Sequence, residues 1–253
     1  MKKFRGVFIK NSNEIALMRE ANHIVYTILQ TLRTEIHPGT PTMRFEEIAQ
    51  DLCRQYKVRP AFQGYNGFPF ALCCSVNEEV IHGFPSARRL REGDIVSFDM
   101  GVVVEGFYGD AARTYPVGCI AAEAERLLRC TAEALEGAAA VAIEGSSLLS
   151  ICAMVQKKAE EERLGIVKRF VGHGVGVRLH EKPEIPNFVS PHLQDLPLQA
   201  GMVLAIEPMF SLGDGDVRVL QDGWTAATKD GSLSAHFEHS VLVGATAAQI
   251  LDC

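Results

Sequence analysis

Apolar residues recur at helical intervals near the amino end of the chain. Ile15, Met18, Ile24, Ile28 and Leu32 fall on one helical face, and Asn11 with Glu14 has the capping-box spacing that would start that helix. "HPGT" at 37–40 reads as a turn. Thr42 is placed to cap a second helix with an inward stripe of Phe45, Ile48, Leu52 and Tyr56. Alanine- and leucine-rich stretches at about 121–141 and 147–164 predict another pair of helices packed closely on something flat. The strand-like runs are about 71–76, 80–82, 95–102, 107–114, 169–173, 202–208, 216–219 and 236–243, and 183–201 reads as a long proline-rich connection. This mixture predicts an α+β or mixed α/β chain with helices covering one face of a largely antiparallel sheet. No low-complexity linker interrupts it, so 1–253 is expected to be one domain with a core of about 5–250.

Within the pattern one unit looks repeated. "LREGDIVSFDMG" begins at Leu90 and "LQAGMVLAIEPM" at Leu198; in both, Gly lies three residues after Leu and an acid six after Gly. His82 or His180 precedes each unit and Asp110 or Glu238 follows it. A duplication with pseudo-twofold symmetry produces such a pattern, and so does chance.

Composition narrows the class. At 253 residues, 47% hydrophobic and 22% charged, the chain is long enough for a substantial core and unlike a disordered one. A net charge of −6 speaks against a general nucleic-acid surface. Seven scattered cysteines without a C-x-x-C pair fit a reducing compartment rather than a disulfide framework or zinc ribbon. "MKKFRGVFIK" lacks the apolar run of a secretory signal, and the apolar stretch at 137–145 is far too short to span a bilayer. A cytoplasmic location is expected.

The chemistry enters through carboxylates in apolar surroundings. Asp99 and Asp110 lie in "VSFDMGVVVEGFYGDAART", on either side of "VVEG". A hairpin centred on that turn would make the two aspartates direct cross-strand partners, about 4.5–5.5 Å apart at Cβ. Ionised carboxylates so close repel and lose hydration, and a cation between them removes both penalties. The plainer alternative is a strand edge in water, or pairing with Arg113. His173 among glycines, Glu207 within "MVLAIEPMF" and Glu238 within "AHFEHSVLV" extend the set. Oxygen donors with one imidazole are unlike the thiolates of a structural zinc site, and several carboxylates can hold two divalent ions that activate water and polarise a carbonyl. Zn, Mn, Co and Fe all tolerate such ligands. His23, His37 and His192 read as ordinary surface or helix residues, while His236 and His239 bracket Glu238 closely enough to orient it.

Taken together and in order, "NEEVIHGFP", "GDIVSFDMGVVVEGFYGDAART", "GHGVGVRLHEKPEIPN", "GMVLAIEPMF" and "DGWTAATKDGSLSAHFEHSVLV" resemble the type I methionine aminopeptidases, over about residues 5–250. The resemblance implies a pita-bread fold, a pseudo-twofold duplicated unit with a curved, mostly antiparallel sheet covered by helices. It also implies two divalent metal ions (Co, Mn, Fe or Zn) on Asp99, Asp110, His173, Glu207 and Glu238, with Asp110 and Glu238 bridging. His82 matches the histidine near the nucleophile and substrate amine, His180 the one at the scissile amide, and Glu207 the ligand that also shuttles a proton. Tyr65, Phe68, Cys73 and Trp224 match the methionine side-chain pocket. Phe62, where many bacterial relatives have cysteine, and Leu179, where some have phenylalanine, depart from the pattern beside it. The expected activity is metal-dependent removal of N-terminal methionine before a small second residue. The expected partner is the N-terminus of nascent polypeptides, with transient ribosome contact, no specific nucleic acid, no membrane and a monomeric chain. The absence of an amino-terminal cysteine-rich extension and of an inserted subdomain favours a compact bacterial-type enzyme over longer relatives. The rival readings are a silent peptide- or ribosome-binding protein of this fold and an X-Pro metallopeptidase.

Overall fold

The computed structural model describes residues 2–252. The capping box forms as expected: Asn11 Oδ1 accepts from the Asn13 and Glu14 amides, and the Glu14 carboxylate accepts from Asn11 N. It starts α1 (Ser12–Thr34), whose face of Met18, Ile24, Ile28 and Leu32 is buried. The second helix, α2 (Met43–Tyr56), begins differently from expectation. Thr42 makes no cap bond to it, because its hydroxyl is taken by the Ser86 backbone. Tyr56, assigned to the buried stripe, is 40% exposed in the last turn. The inward anchor is instead Glu46, which accepts hydrogen bonds from Ala71 N and Leu72 N and so fixes the start of the Leu72–Val76 strand. The later pair, α3 (Ala122–Ala140) and α4 (Leu148–Glu161), falls where its alanine pattern placed it.

The chain is α+β, and every pairing between its extended strands is antiparallel among the described residues. Two halves repeat one plan. In the first, α1 and α2 pack on Leu72–Val76, Ile95–Val104 and Phe107–Pro116 around Phe45, Phe98 and Met100. In the second, α3 and α4 pack on Val203–Ile206, His239–Leu242 and Glu181–Ile185 around Leu127, Ile151 and Leu204. The repeated sequence unit has matching geometry: Gly93 (φ 89°) and Gly201 (φ 91°) both take the left-handed conformation two residues before their strands.

The halves meet at a bridge between Ala112 and Glu238. Side chains fasten that seam. Thr114 Oγ1 donates to His236 O (2.8 Å) and accepts from His236 N (2.9 Å), and Ser240 Oγ donates to Asp110 O (2.9 Å). Two expected strands are each broken there. The 202–208 run divides into Val203–Ile206 and Met209–Ser211, and the 236–243 run into Ser234–His236 and His239–Leu242. Pro208 has no amide hydrogen to continue the ladder, and the partner strand bends at the same level. The 169–173 run contributes only Gly172–Gly174, and the proline-rich connection begins later than expected because Pro183 lies inside the Glu181–Ile185 strand.

Candidate active site

The hairpin carrying the two aspartates turns on Glu105 (φ 46°) and Gly106 (φ 85°), a two-residue turn with both centres left-handed. This corrects the expected register. Asp99 faces Ala112, and Asp110 faces Gly101, so the aspartates are diagonal neighbours rather than direct partners. The turn lies one residue further along than expected, and side-chain parity survives the change, so both carboxylates still point to one face. Arg113 lies on the other face. It does not pair with either aspartate but with Asp252, at 2.8 Å.

The strand breaks supply the glutamates. Glu207 follows Ile206 at one break, and Glu238 precedes His239 at the other, so a single kink turns both carboxylates toward the aspartates. His173 lies between its neighbours Ala205 and Glu184 on adjacent strands. Its Nδ1 donates to Gly174 O (2.9 Å), which leaves Nε2 as the unprotonated nitrogen, 3.5 Å from Glu207 Oε1 and 3.9 Å from Asp110 Oδ2. Donor atoms of Asp110, His173 and Glu238 all lie within 4.8 Å of one another.

Electrostatically the cluster is unfinished without a cation. Asp99 Oδ1, Asp110 Oδ1 and Glu238 Oε1 are buried without a hydrogen-bond partner. Burial, with Glu207 adding to it, pushes Asp99 up to about 7; burial pushes Glu207 up to about 8. Asp110 and Glu238 are also raised well above the usual carboxylate range, by burial first and then by the neighbouring carboxylates, Asp99 and Glu207 among them. Burial drops His173 to about 3 and keeps it neutral, with His180 as a second cause. Four carboxylates and a neutral imidazole with a free lone pair are the donor set of divalent cations, and bound ions would satisfy the orphaned oxygens. The residues therefore fit divalent metal ions. The other grouping of this kind, Cys130, Glu133 and Glu162, does not. Its carboxylates already bind Lys158, at 2.6 and 3.1 Å.

The cluster closes the inner end of a cavity of about 170 Å³. The expected ligands and pocket residues line it: the four acids and His173, then His82, His180, and the set of Phe62, Tyr65, Phe68, Cys73, Leu179 and Trp224. Phe68 packs edge-on against Trp224 at 5.2 Å between centroids, and Phe62, Cys73 and Leu179 share its apolar cluster. Burial and the nearby Asp99 and Asp110 hold the Cys73 thiol well above its usual range, so it remains an uncharged wall. His82, at φ 58°, stands edge-on to Phe170 and Trp224, and burial with His236 and His180 lowers it to about 4. The His180 ring lies 4.3 Å from that of His173, and its Nδ1 is 2.8 Å from Tyr65 Oη.

Three contributors escape the sequence pattern. Asn66 and Ile81 line the cavity. Buried Asn22, on the apolar face of α1, accepts from Asp110 N at 3.1 Å; a lone amide in that stripe was its only signal. His236, suggested by proximity alone, is 1% exposed, with Nε2 3.5 Å from Glu207 Oε2 and neither ring nitrogen hydrogen-bonded. His23, His37 and His192 stay away from the cavity.

The profile of "Metallopeptidase family M24" matches residues 16–245. The chain belongs to that family, and its fold is the pita-bread fold of a metal-dependent exopeptidase. Within it, the similarity is to methionine aminopeptidases. That of Clostridium perfringens is 44% identical over 245 residues, covering 97% of this chain and 98% of that protein. Methionine aminopeptidase 1 of Bacillus subtilis is 42% identical with the same coverage. The crystal structure of methionine aminopeptidase from Thermotoga maritima superposes with a TM-score of 0.95 at 43% identity, over 97% of this chain and 99% of that one.

Proposed function

We propose that this chain hydrolyses the bond after an N-terminal methionine in peptides and nascent proteins whose second residue is small. The observation that carries this reading is a cavity with an acid–imidazole cluster at its inner end and an aromatic, thiol-bearing wall beside it. Aromatic faces and a neutral thiol suit a flexible, polarisable thioether, whereas a charged first residue would be desolvated there without a partner. A free substrate α-amine held beside the carboxylate cluster would fix the first residue of the peptide there, which makes the reaction exopeptidic.

Asp99, Asp110, His173, Glu207 and Glu238 would hold two divalent ions. When bound, the ions supply an acidic water and an electrophile for the scissile carbonyl. Glu207 takes up the proton released in the attack and passes it to the leaving amine. Tyr65 Oη donating to His180 Nδ1 leaves the proton on Nε2, and His180 then donates to the oxygen that gains charge. Neutral His82 stands at the substrate amine. Asn187 Nδ2 donates to Glu207 O at 3.0 Å and steadies that ligand from behind.

Residues 1–253 act as one catalytic domain, monomeric and cytoplasmic, meeting nascent chains at the ribosome. Among the described residues no helix is long and apolar enough to cross a membrane. The test is release of the first residue from Met-Ala-Ser and Ala-Pro-x peptides, with and without Mn²⁺ or Co²⁺. Metal-dependent release of methionine from the first peptide is expected. Preferential cleavage of the second, or none of either, rejects the assignment.

A further inference from the structure

His180 lies just before the Glu181–Ile185 strand and is exposed, yet its ring is fixed between His173 and Tyr65. The turn that carries it is held from the residue that follows. Glu181 Oε1 accepts from Val177 N (2.9 Å) and Arg178 N (3.2 Å), which ties the turn back on itself. The other oxygen, Oε2, is 2.8 Å from Lys10 Nζ, and both side chains are only 1% exposed. Lys10 comes from the far end of the sequence, at the close of the amino-terminal hairpin Lys2–Phe4 and Val7–Ile9.

The surroundings are shaped for this contact. A Cβ on Gly176 would lie 2.5 Å from Lys10 Cε and 2.8 Å from Nζ, so glycine opens the passage through which the lysine reaches the turn. Lys10 is anchored in turn by its backbone, whose amide donates to Gly201 O at 2.8 Å, in the repeated unit that leads to Glu207. Burial lowers the lysine's proton affinity and Glu181 opposes that, as in a closed pair. A buried ion pair is a poor source of stability compared with apolar packing, but it imposes a specific geometry. Here that geometry is the placement of one turn.

We propose that Lys10 and Glu181 are positioning residues that set the His180 ring against the scissile bond. This rests on His180 acting at that bond, as read above. The pair holds the turn and not the carboxylates, so its loss acts on turnover through His180 and leaves the metal centre in place.

The experiment is a double-mutant cycle on Met-Ala-Ser with Mn²⁺, recording kcat, KM, bound metal and thermal midpoint for Lys10→Met, His180→Ala and the two combined. Lys10→Met is expected to lower kcat about 10–100-fold, the scale of a misplaced catalytic group, with KM and bound Mn²⁺ changed less than about twofold. In the His180→Ala background the same change is expected to cost less than about twofold, because the group it positions is gone. Multiplying losses, metal loss in step with rate loss, or an unchanged kcat in Lys10→Met would overturn the proposal. If Lys10→Met does not fold, Lys10→Met/Glu181→Gln carries the same comparison, since it leaves no lone buried charge and keeps an acceptor for the turn amides. An undiminished kcat in His180→Ala beside normal methionine release by the unaltered protein would remove the role of His180, and the proposal with it, while the peptidase assignment stood.

Discussion

At its inner end the cavity is made by paired strands. Asp99 and Asp110 stand on a ten-residue hairpin ladder, and Glu207 and Glu238 on two strands that break together. The wall beside it comes mostly from turns, Cys73 on the strand paired with Asp99 being the exception. The Tyr65–Gly67 segment is a single 3₁₀ turn with Asn66 at φ 49°, and Trp224 is set by its amide donating to Asp222 Oδ1 at 2.8 Å. The inner end therefore combines rigid backbone with unfavourable electrostatics, and the wall combines apolar contacts with backbone held mostly locally. A cation corrects the first; the substrate's own side chain completes the second. Chemistry and selectivity should thus fail separately.

The largest expected effect breaks the inner end alone. Asp110→Asn should remove metal and turnover together, by more than the about 10–100-fold that losing an outer hydrogen bond costs a metal site. It should also raise the thermal midpoint of the metal-free protein, because one member of a repelling buried set is gone. Metal analysis and calorimetry on the purified variant check both parts. Full metal occupancy with normal turnover would remove Asp110 from the ligand set.

His180→Ala sits between the two regions. It should slow turnover by up to about 10²–10³, the loss of one oxyanion donor, with metal content retained. Single-turnover rates beside metal analysis would separate that from an indirect effect on the ions.

A smaller effect concerns stability without metal. The folded protein holds protons on Asp99 and Glu207 up to about pH 7 and about pH 8, while unfolded carboxylates have lost theirs near pH 4. Stability must therefore fall as pH rises through 7–8. Neutral His173 and His82, at about 3 and about 4 in the folded chain, act in the opposite sense, but that contribution is complete above about pH 6.5. Thermal scans from pH 6.5 to 8.5 should show a falling midpoint with chelator and a flatter one with Mn²⁺, since ions replace the protons. A rising midpoint with chelator would mean that the carboxylates are not charged against one another.

The smallest effect sharpens the wall. Trp224→Ala should relax the preference for methionine over leucine by about 1–3 kcal/mol in kcat/KM, the worth of a methylene-scale misfit, while bound metal is unchanged. Loss of metal in that variant would show that wall and inner end are not independent.

The same contrast decides what could be read from the sequence. The face carrying Asp99 and Asp110 was legible because strand parity depends only on even or odd spacing, so an off-centre turn left it intact; the partner of each aspartate was not, because Glu105 at positive φ is invisible to a hydropathy pattern. The capping box of α1 was legible as a local bond. The tie between Glu46 and the Ala71 and Leu72 amides, and that between Lys10 and Glu181, were not, since they join distant segments. The breaks at Glu207 and Glu238 read as continuous strands, although Pro208 was in view. The aromatic wall was recognised through resemblance, because turns bring its members together without any period of their own.

The most direct test is to titrate Mn²⁺ into the metal-free protein at pH 7 while following bound metal, proton release and methionine release from Met-Ala-Ser together. Turnover should rise from zero with occupancy of the cluster, with protons displaced as the ions bind. Methionine release without metal, or saturation with metal and no release, would contradict a site whose buried carboxylates exist to hold catalytic cations.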